Sequence, residues 1–358
     1  MKKILFIIGT RPEVVKLCPV IKIFEQHKSF ETIVLTTGQQ KSLLDNMLKE
    51  FNILPQNKFR LEIKNADISE HVGKLIQAIN KFIHTTKPDM IFVQGDTSTA
   101  FTSAFVGFLN NIPIAHIEAG LRSFNLDSPF PEEGYRQMIS RLATFNFSPT
   151  ILAKSNLLSE GISPDKIYVV GNTIVDSIVR NLDGAKQIKV ENKVLITLHR
   201  RENFGEPLIE ICQGIYNFAA KNPTIKIKII LHPNPNSNNT IRLKLGNLKN
   251  IELINPLSYK KLLEEIISSI FVLTDSGGIQ EECNILNIPL LVARTETERP
   301  EVLSSGKLIG TSSTVVCREM ANLCDTYDER LREVEFNFKH FGDGTSATQI
   351  IRIVENLL

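Results

Sequence analysis

The chain has no tryptophan and almost no net charge, with 41 Lys+Arg against 39 Asp+Glu. Nucleic-acid binders usually show a clustered basic surface and a high pI, so no nucleic-acid partner is expected. No apolar run approaches the roughly 20 residues that a membrane-spanning helix needs, so no membrane partner is expected either. The start, MKKILFIIGTRPE, imitates an export signal, but its apolar stretch is only Ile4 to Ile8 before Gly9, Arg11, Pro12 and Glu13. It reads as a buried first strand. Five cysteines (Cys18, Cys212, Cys283, Cys317, Cys324) are scattered, odd in number and without a CxxC pair. Reduced, buried thiols in a cytoplasmic protein are the reading. The seven histidines form no HExxH and none pairs with Cys at zinc spacing, so no metal is expected. There is no GxGxxG, no Walker loop and no GxSxG elbow, which removes support from dinucleotide, P-loop and Ser/His/Asp chemistry.

What is present is an ordinary globular composition, 42% hydrophobic over 358 residues, long enough for about two domains. Short apolar runs recur at Lys3–Ile8, Thr32–Leu35, Met90–Gln94, Pro113–Ile117 and Phe145–Phe147. They recur again at Val194–Thr197, Ile225–Leu231, Ile251–Leu253, Phe271–Thr274 and Pro289–Val292. Runs apolar on both faces fit parallel strands covered by helices on both sides. The segments between them carry helical spacing, as at Ile76, Ile79, Phe82 and Ile83. The predicted fold is α/β, with two doubly wound, Rossmann-like sheets. The break is placed after Val169–Asn172, giving domains 1–170 and 171–344. The stretch Asp183–Asn192 is polar without a strand signal, so the boundary window is 170–192.

Nearly every run ends in a polar signature, and open α/β sheets bind ligands beyond the carboxyl ends of their strands. Asp275-Ser276-Gly277-Gly278 precedes a helical stretch, Ile279–Leu286. It reads either as a turn capped by Asp or Ser, or as a phosphate cradle at a helix N-terminus. Arg11, Lys16, Arg200, Arg201 and Arg299 lie at or near strand ends, where a diphosphate would need them. Asp96, Glu118, Glu132 and Glu133 form an acidic set that reads either as helix caps or as proton-transfer groups. His199 reads either as a structural histidine or as a phosphate or acid–base contact.

Together the signatures GTRPE (9–13), QGDT (94–97), HIEAGLR (116–122), SPFPEE (128–133), GNTIVD (171–176), HRREN (199–203), HPNP (232–235), TDSGGIQEE (274–282), TERPE (297–301) and FGDG (341–344) resemble the non-hydrolysing UDP-N-acetylglucosamine 2-epimerases. The resemblance implies two Rossmann-like domains facing across a cleft, as in GT-B enzymes, with a helix over about 345–358 crossing back to the first. It implies an isomerase without a cofactor that interconverts UDP-GlcNAc and UDP-ManNAc for polysaccharide biosynthesis, with closure of the domains completing its site. It assigns Asp96, Glu118, Glu132 and His199 to acid–base and sugar contacts. It assigns Arg11, Lys16, Ser276, Gly277, Gly278, Glu282 and Arg299 to UDP. Some members hold a second UDP-GlcNAc as an activator. Here Gln39 and His232 are the candidates for that secondary site, although Gln39-Gln40 stands where a Gln-His pair is usual. A homodimer is the family expectation. The alternatives are a hydrolysing 2-epimerase, an epimerase of another UDP-2-acetamido sugar, and a GT-B glycosyltransferase. A nucleotide-sugar sensor is a fourth.

Overall fold

A computed structural model describes the chain except for residues 39–40, 59–66, 184–186, 299–305, 326–330, 334–335, 337, 339 and 358. The chain divides into two units, Met1–Arg180 with Lys339–Leu358, and Asn181–Phe338. The division at 180/181 lies within the boundary window 170–192, before the polar stretch 183–192 and later than the break placed at 170.

The first unit holds strands β1 (Lys2–Ile8), β2 (Phe30–Thr36), β3 (Asn57–Lys58), β4 (Met90–Gln94), β5 (Ile114–Ile117), β6 (Phe145–Ser148) and β7 (Ile167–Val169). They form one parallel sheet in the order β3-β2-β1-β4-β5-β6-β7. Helices α1 (Arg11–Gln26), α2 (Lys41–Glu50), α3 (Ile68–Thr86), α4 (Ser98–Leu109), α5 (Glu132–Leu142), α6 (Ile151–Ser159) and α7 (Thr173–Asn181) alternate with the strands. Successive strand residues point to opposite faces. Leu5, Ile7, Ile91 and Val93 therefore join Leu75, Ile79, Phe82 and Ile83 of α3 in one core layer. Phe6 and Phe92 face the other way and stack at 4.7 Å, with Phe24 of α1 edge-on to Phe92 at 5.3 Å. The strand order reverses between β1 and β4, which makes their carboxyl ends the switch point where such sheets take ligands.

The second unit repeats the plan. Strands β9 (Lys193–Thr197), β10 (Lys226–Ile230), β11 (Ile251–Ile254), β12 (Val272–Thr274), β13 (Leu290–Val292) and β14 (Gly306–Leu308) run parallel in the order β11-β10-β9-β12-β13-β14. Its switch point lies between β9 and β12. Helices α8 (Glu206–Lys221), α9 (Pro235–Leu245), α10 (Tyr259–Ile267), α11 (Gly277–Ile285) and α12 (Ser313–Cys324) surround it. Two expectations are corrected. The polar stretch 183–192 does contain a strand, β8 (Gln187–Lys189), which pairs antiparallel with β15 (Leu331–Glu333). Its partner is a remote segment, so no local apolar pattern announces it. Strand β10 is not buried on both faces: Ile227 and Ile229 are buried, but Lys226 is exposed and Lys228 half-buried. The amine of Lys228 and that of buried Lys193 meet Glu265 of α10 at 2.7 and 2.6 Å.

The last helix, α13 (Ser346–Leu357), belongs to the first unit. His27 Nε2, just past α1, lies 3.3 Å from Glu355. The return is locked at Gly171, where Asn172 N–H donates to Phe341 O at 2.7 Å and Ala347 N–H donates to Asp176 at 3.0 Å. Gly171 has φ +83, and a Cβ there would lie 2.9 Å from Ser346 Oγ and 3.0 Å from Phe341 O. Gly171→Ala therefore meets both left-handed strain and a backbone contact. It should destabilise the protein by about 1–3 kcal/mol in equilibrium denaturation. An unchanged midpoint would contradict this.

Candidate active site

In the first unit, β1 runs into Gly9 and Thr10 before α1. A Cβ on Gly9 would lie 2.2 Å from Thr99 Oγ1 and 2.9 Å from Thr37 Oγ1, so only glycine fits. Glu13, buried in the first turn of α1, ties this loop to the one after β4. Its Oε2 accepts from Gly9 N–H and Thr10 N–H, both at 2.6 Å, and its Oε1 accepts from Thr97 Oγ1 at 2.5 Å. Burial pushes the Glu13 carboxyl up to about 7, against hydrogen bonds from Thr97, Gly9 and Thr10 that lower it. With a folded value above the ordinary 4.5, its contribution to stability is full below that value and is lost as pH rises through about 7. Denaturation across this window should show the wild type losing ground to Glu13→Gln as pH rises. A pH-independent difference would reject the role.

The acidic set divides. Glu118 follows β5 with φ +68, a conformation that non-glycine residues seldom adopt. Both of its carboxylate oxygens are gripped, Oε1 by the Lys16 ammonium of α1 and Oε2 by the Gln94 amide at the end of β4. Lys16, Gln94 and Glu118 are all buried. Gly95 has φ +68, and a Cβ on it would sit 3.3 Å from Glu118 Oε2. Asp96 pairs with buried Arg136 of α5, whose Nη1 also lies 3.2 Å from Glu133. Glu132 opens α5 one turn before Arg136 and is half-buried. Glu133 is fully buried and structural: it accepts from Ser123 N–H at 3.0 Å and Phe124 N–H at 3.2 Å. His116 is structural too. Burial holds it down to about 4, and its Nε2 donates to Gly95 O at 2.8 Å. Helix capping does not account for Asp96 or Glu118. The N-cap of α4 is Thr97, which accepts from Ala100 N–H at 3.0 Å, and Glu118 is followed by no helix start. Arg11, the first residue of α1, is half-buried.

In the second unit, α11 starts at the end of β12. Ser276 is its N-cap but makes no side-chain cap bond, and a Cβ on Gly278 would meet nothing within 4 Å. The first turn thus presents backbone N–H groups with open approach, as a phosphate cradle requires. Glu282 is buried farther along α11. His199, beyond β9, stacks on His232, beyond β10, with centroids 5.0 Å apart and planes 18° apart. His232 Nδ1 accepts from Asn234 N–H at 3.1 Å. The next arginine, Arg200, points Nη2 at Glu298 at 3.4 Å, and Arg294 bonds Glu202 at 2.6 Å and Glu298 at 2.8 Å. Gln39 and Arg299 lie outside the described residues, as does the side chain of Arg201.

Of the residues that hold these groups, Gln94 and Arg136 were not singled out by sequence reasoning, and Asp275 was read only as part of the turn before α11. Gln94, Arg136 and Asp275 sit inside or beside the signatures, but nothing local marks them as partners of Glu118, Asp96 and His199. Among the described residues, no helix is long and apolar enough to cross a membrane.

Comparison with known proteins gives a consistent result. Residues 22–355 match the family model described as UDP-N-acetylglucosamine 2-epimerase. The chain is similar to the UDP-N-acetylglucosamine 2-epimerase of Campylobacter jejuni, 38% identical with 99% of this chain and 97% of that protein covered. The fold is similar to that of the Neisseria meningitidis UDP-GlcNAc 2-epimerase bound to UDP-GlcNAc, with TM-score 0.91, 34% identity, and 99% and 100% of the two chains covered. It is also similar to the Methanocaldococcus jannaschii UDP-GlcNAc 2-epimerase in complex with UDP-GlcNAc and UDP, with TM-score 0.87, 33% identity and 99% of each chain covered.

Proposed function

Because the chain belongs to the UDP-N-acetylglucosamine 2-epimerase family, we propose that it inverts C2 of UDP-GlcNAc reversibly to give UDP-ManNAc. The C2 hydrogen is not next to a carbonyl, so direct deprotonation is too costly. Instead the C1–O bond breaks with its electron pair leaving on the diphosphate, while C2 loses its proton to an enzyme base, giving a glycal and UDP. Return of a proton to the opposite face of C2 and of the diphosphate oxygen to C1 completes the inversion. The scheme needs acid–base groups near C2 and a cationic, N–H-rich cradle for departing UDP. Asp96, Glu118, Glu132 and His199 supply the first. Arg11, Lys16, Arg299 and the Ser276–Gly278 turn of α11 supply the second, and Glu282 joins UDP binding as a hydrogen-bond acceptor.

The observation that carries this reading is Glu118, held at φ +68 just beyond β5, beside the switch point, with Lys16 and Gln94 on its two oxygens. A glycosyltransferase or a sensor would bind UDP alike but has less use for such a carboxylate set. Incubation with UDP-GlcNAc in D2O, followed by NMR, tests it. UDP-ManNAc deuterated at C2 is the expected product. Free ManNAc plus UDP would make the enzyme hydrolysing, and no exchange at C2 would sink both.

The same reading makes the enzyme cytoplasmic and homodimeric. The support for a dimer within the chain is the exposure of three apolar side chains on α4 and α5, Phe108 (53%), Leu109 (59%) and Met138 (44%). Light scattering should give twice the chain mass, and a monomer would reject the dimer.

A further inference from the structure

We infer that Asp275 is a positioning residue: it holds the loop that carries His199 and decides which imidazole nitrogen bears the proton. Its carboxylate is fully buried at the end of β12. A buried carboxylate must be met by donors, and here the His199 loop supplies them. Oδ1 and Oδ2 accept from His199 N–H at 2.9 and 3.0 Å, and Oδ2 accepts from Arg200 N–H at 2.9 Å. Asn203 Nδ2 donates to Oδ2 at 3.0 Å and to Ala293 O, beyond β13, at 3.0 Å. One carboxylate and one amide thus staple the ends of three neighbouring strands, β9, β12 and β13. Charge-assisted bonds of this kind are stronger than neutral ones.

The imidazole is held as well. His199 Nδ1 lies 3.4 Å from Asp275 Oδ1. A carboxylate attracts an N–H and repels a lone pair, so it selects the tautomer with the proton on Nδ1. The lone pair then sits on Nε2, the nitrogen on the far side of the ring from the Asp275 contact, and the His199 side chain is 31% exposed. His232 covers one face of the ring at 5.0 Å. Asn234 N–H on His232 Nδ1 places that ring's own proton on Nε2. Stack and carboxylate leave His199 little freedom to turn. Nε2 is therefore the atom that accepts a proton or hydrogen bond from a ligand, the same division of labour that an aspartate imposes on a histidine in acyl-transfer triads. That last step rests on the nucleotide-sugar reading above; the tautomer does not.

Long-range ¹H–¹⁵N correlation spectra of the full chain, with ¹⁵N-labelled histidine at a pH where imidazoles are neutral, test this directly. A His199→Asn sample identifies the His199 signals. The wild type should show His199 protonated on Nδ1, and Asp275→Asn should move it toward the Nε2–H form. A wild-type His199 protonated on Nε2 would overturn the proposal, as would a tautomer unmoved in Asp275→Asn. The wild-type measurement decides even if the variant fails to fold. With UDP-GlcNAc as substrate, kcat of Asp275→Asn should fall on the order of 10²-fold, the scale of a small misplacement of a reacting group. UDP affinity by calorimetry should stay unchanged. Loss of UDP binding in step with kcat would mean a merely structural role. A wild type with the expected tautomer but no epimerase activity would sink the functional reading and leave the positioning role standing.

Discussion

Glu118→Gln is expected to lower epimerisation by on the order of 10²–10⁴-fold while UDP still binds, the usual scale for loss of an acid–base group. The substitution keeps the size of the side chain. Its carbonyl oxygen still accepts from Lys16, and Gln94 meets the new amide by turning its own amide over. What disappears is the negative charge and the capacity to exchange a proton. The chain keeps Glu118 at φ +68, a conformation that costs on the order of 1–3 kcal/mol and persists where surroundings over-determine it. The ion pair with Lys16, the bond from Gln94 and the glycine at 95 are those surroundings. Turnover, UDP affinity and melting are to be measured on the same variant. Near-normal turnover would remove Glu118 from the chemistry, and lowered melting alone would leave it a structural partner of Lys16.

Lys16→Met is expected to destabilise the protein by about 3–5 kcal/mol, the cost of removing one member of a buried ion pair. The side chains of Lys16 and Glu118 are 3% and 6% exposed, so water does not replace the lost ammonium. Methionine keeps the unbranched stem, which confines the change to charge. The surviving carboxylate keeps the hydrogen bond from the Gln94 amide but loses the opposite charge. The double variant Lys16→Met/Glu118→Gln should recover much of the loss, because the stranded charge is gone. Equilibrium denaturation of the three variants measures the coupling. A loss below about 1 kcal/mol in Lys16→Met, the scale of exposed pairs, would show that the pair contributes little.

The two sheets were legible because their central strands are unbroken apolar runs. Lys3–Ile8 and Met90–Gln94 are buried by helices on both sides, and the pattern of burial is written in the residues themselves. The short edge strands Asn57–Lys58, Gln187–Lys189 and Leu331–Glu333 were not legible. Two or three residues, mostly polar, become a strand only when a neighbour offers its backbone. The signatures were legible for a related reason. A strand must stop, turn and start a helix within a few residues, so Gly9-Thr10-Arg11-Pro12 and Asp275-Ser276-Gly277-Gly278 declare themselves locally.

The sequence by itself determined which chemical groups stand at the strand ends and that both halves repeat one plan, since hydrophobic periodicity and turn chemistry act over a few residues. Only the tertiary structure decided who holds whom. Lys16 reaches Glu118 across 102 positions of chain, Arg136 reaches Asp96 across 40, and Asp275 reaches the His199 backbone across 76. Those partnerships follow from strand order, which sets β1 beside β4, β4 beside β5 and β9 beside β12. Strand order is settled by how whole layers pack, and no local pattern carries it. It also turned Glu133 from a candidate into a support, because burial withdraws it from solvent.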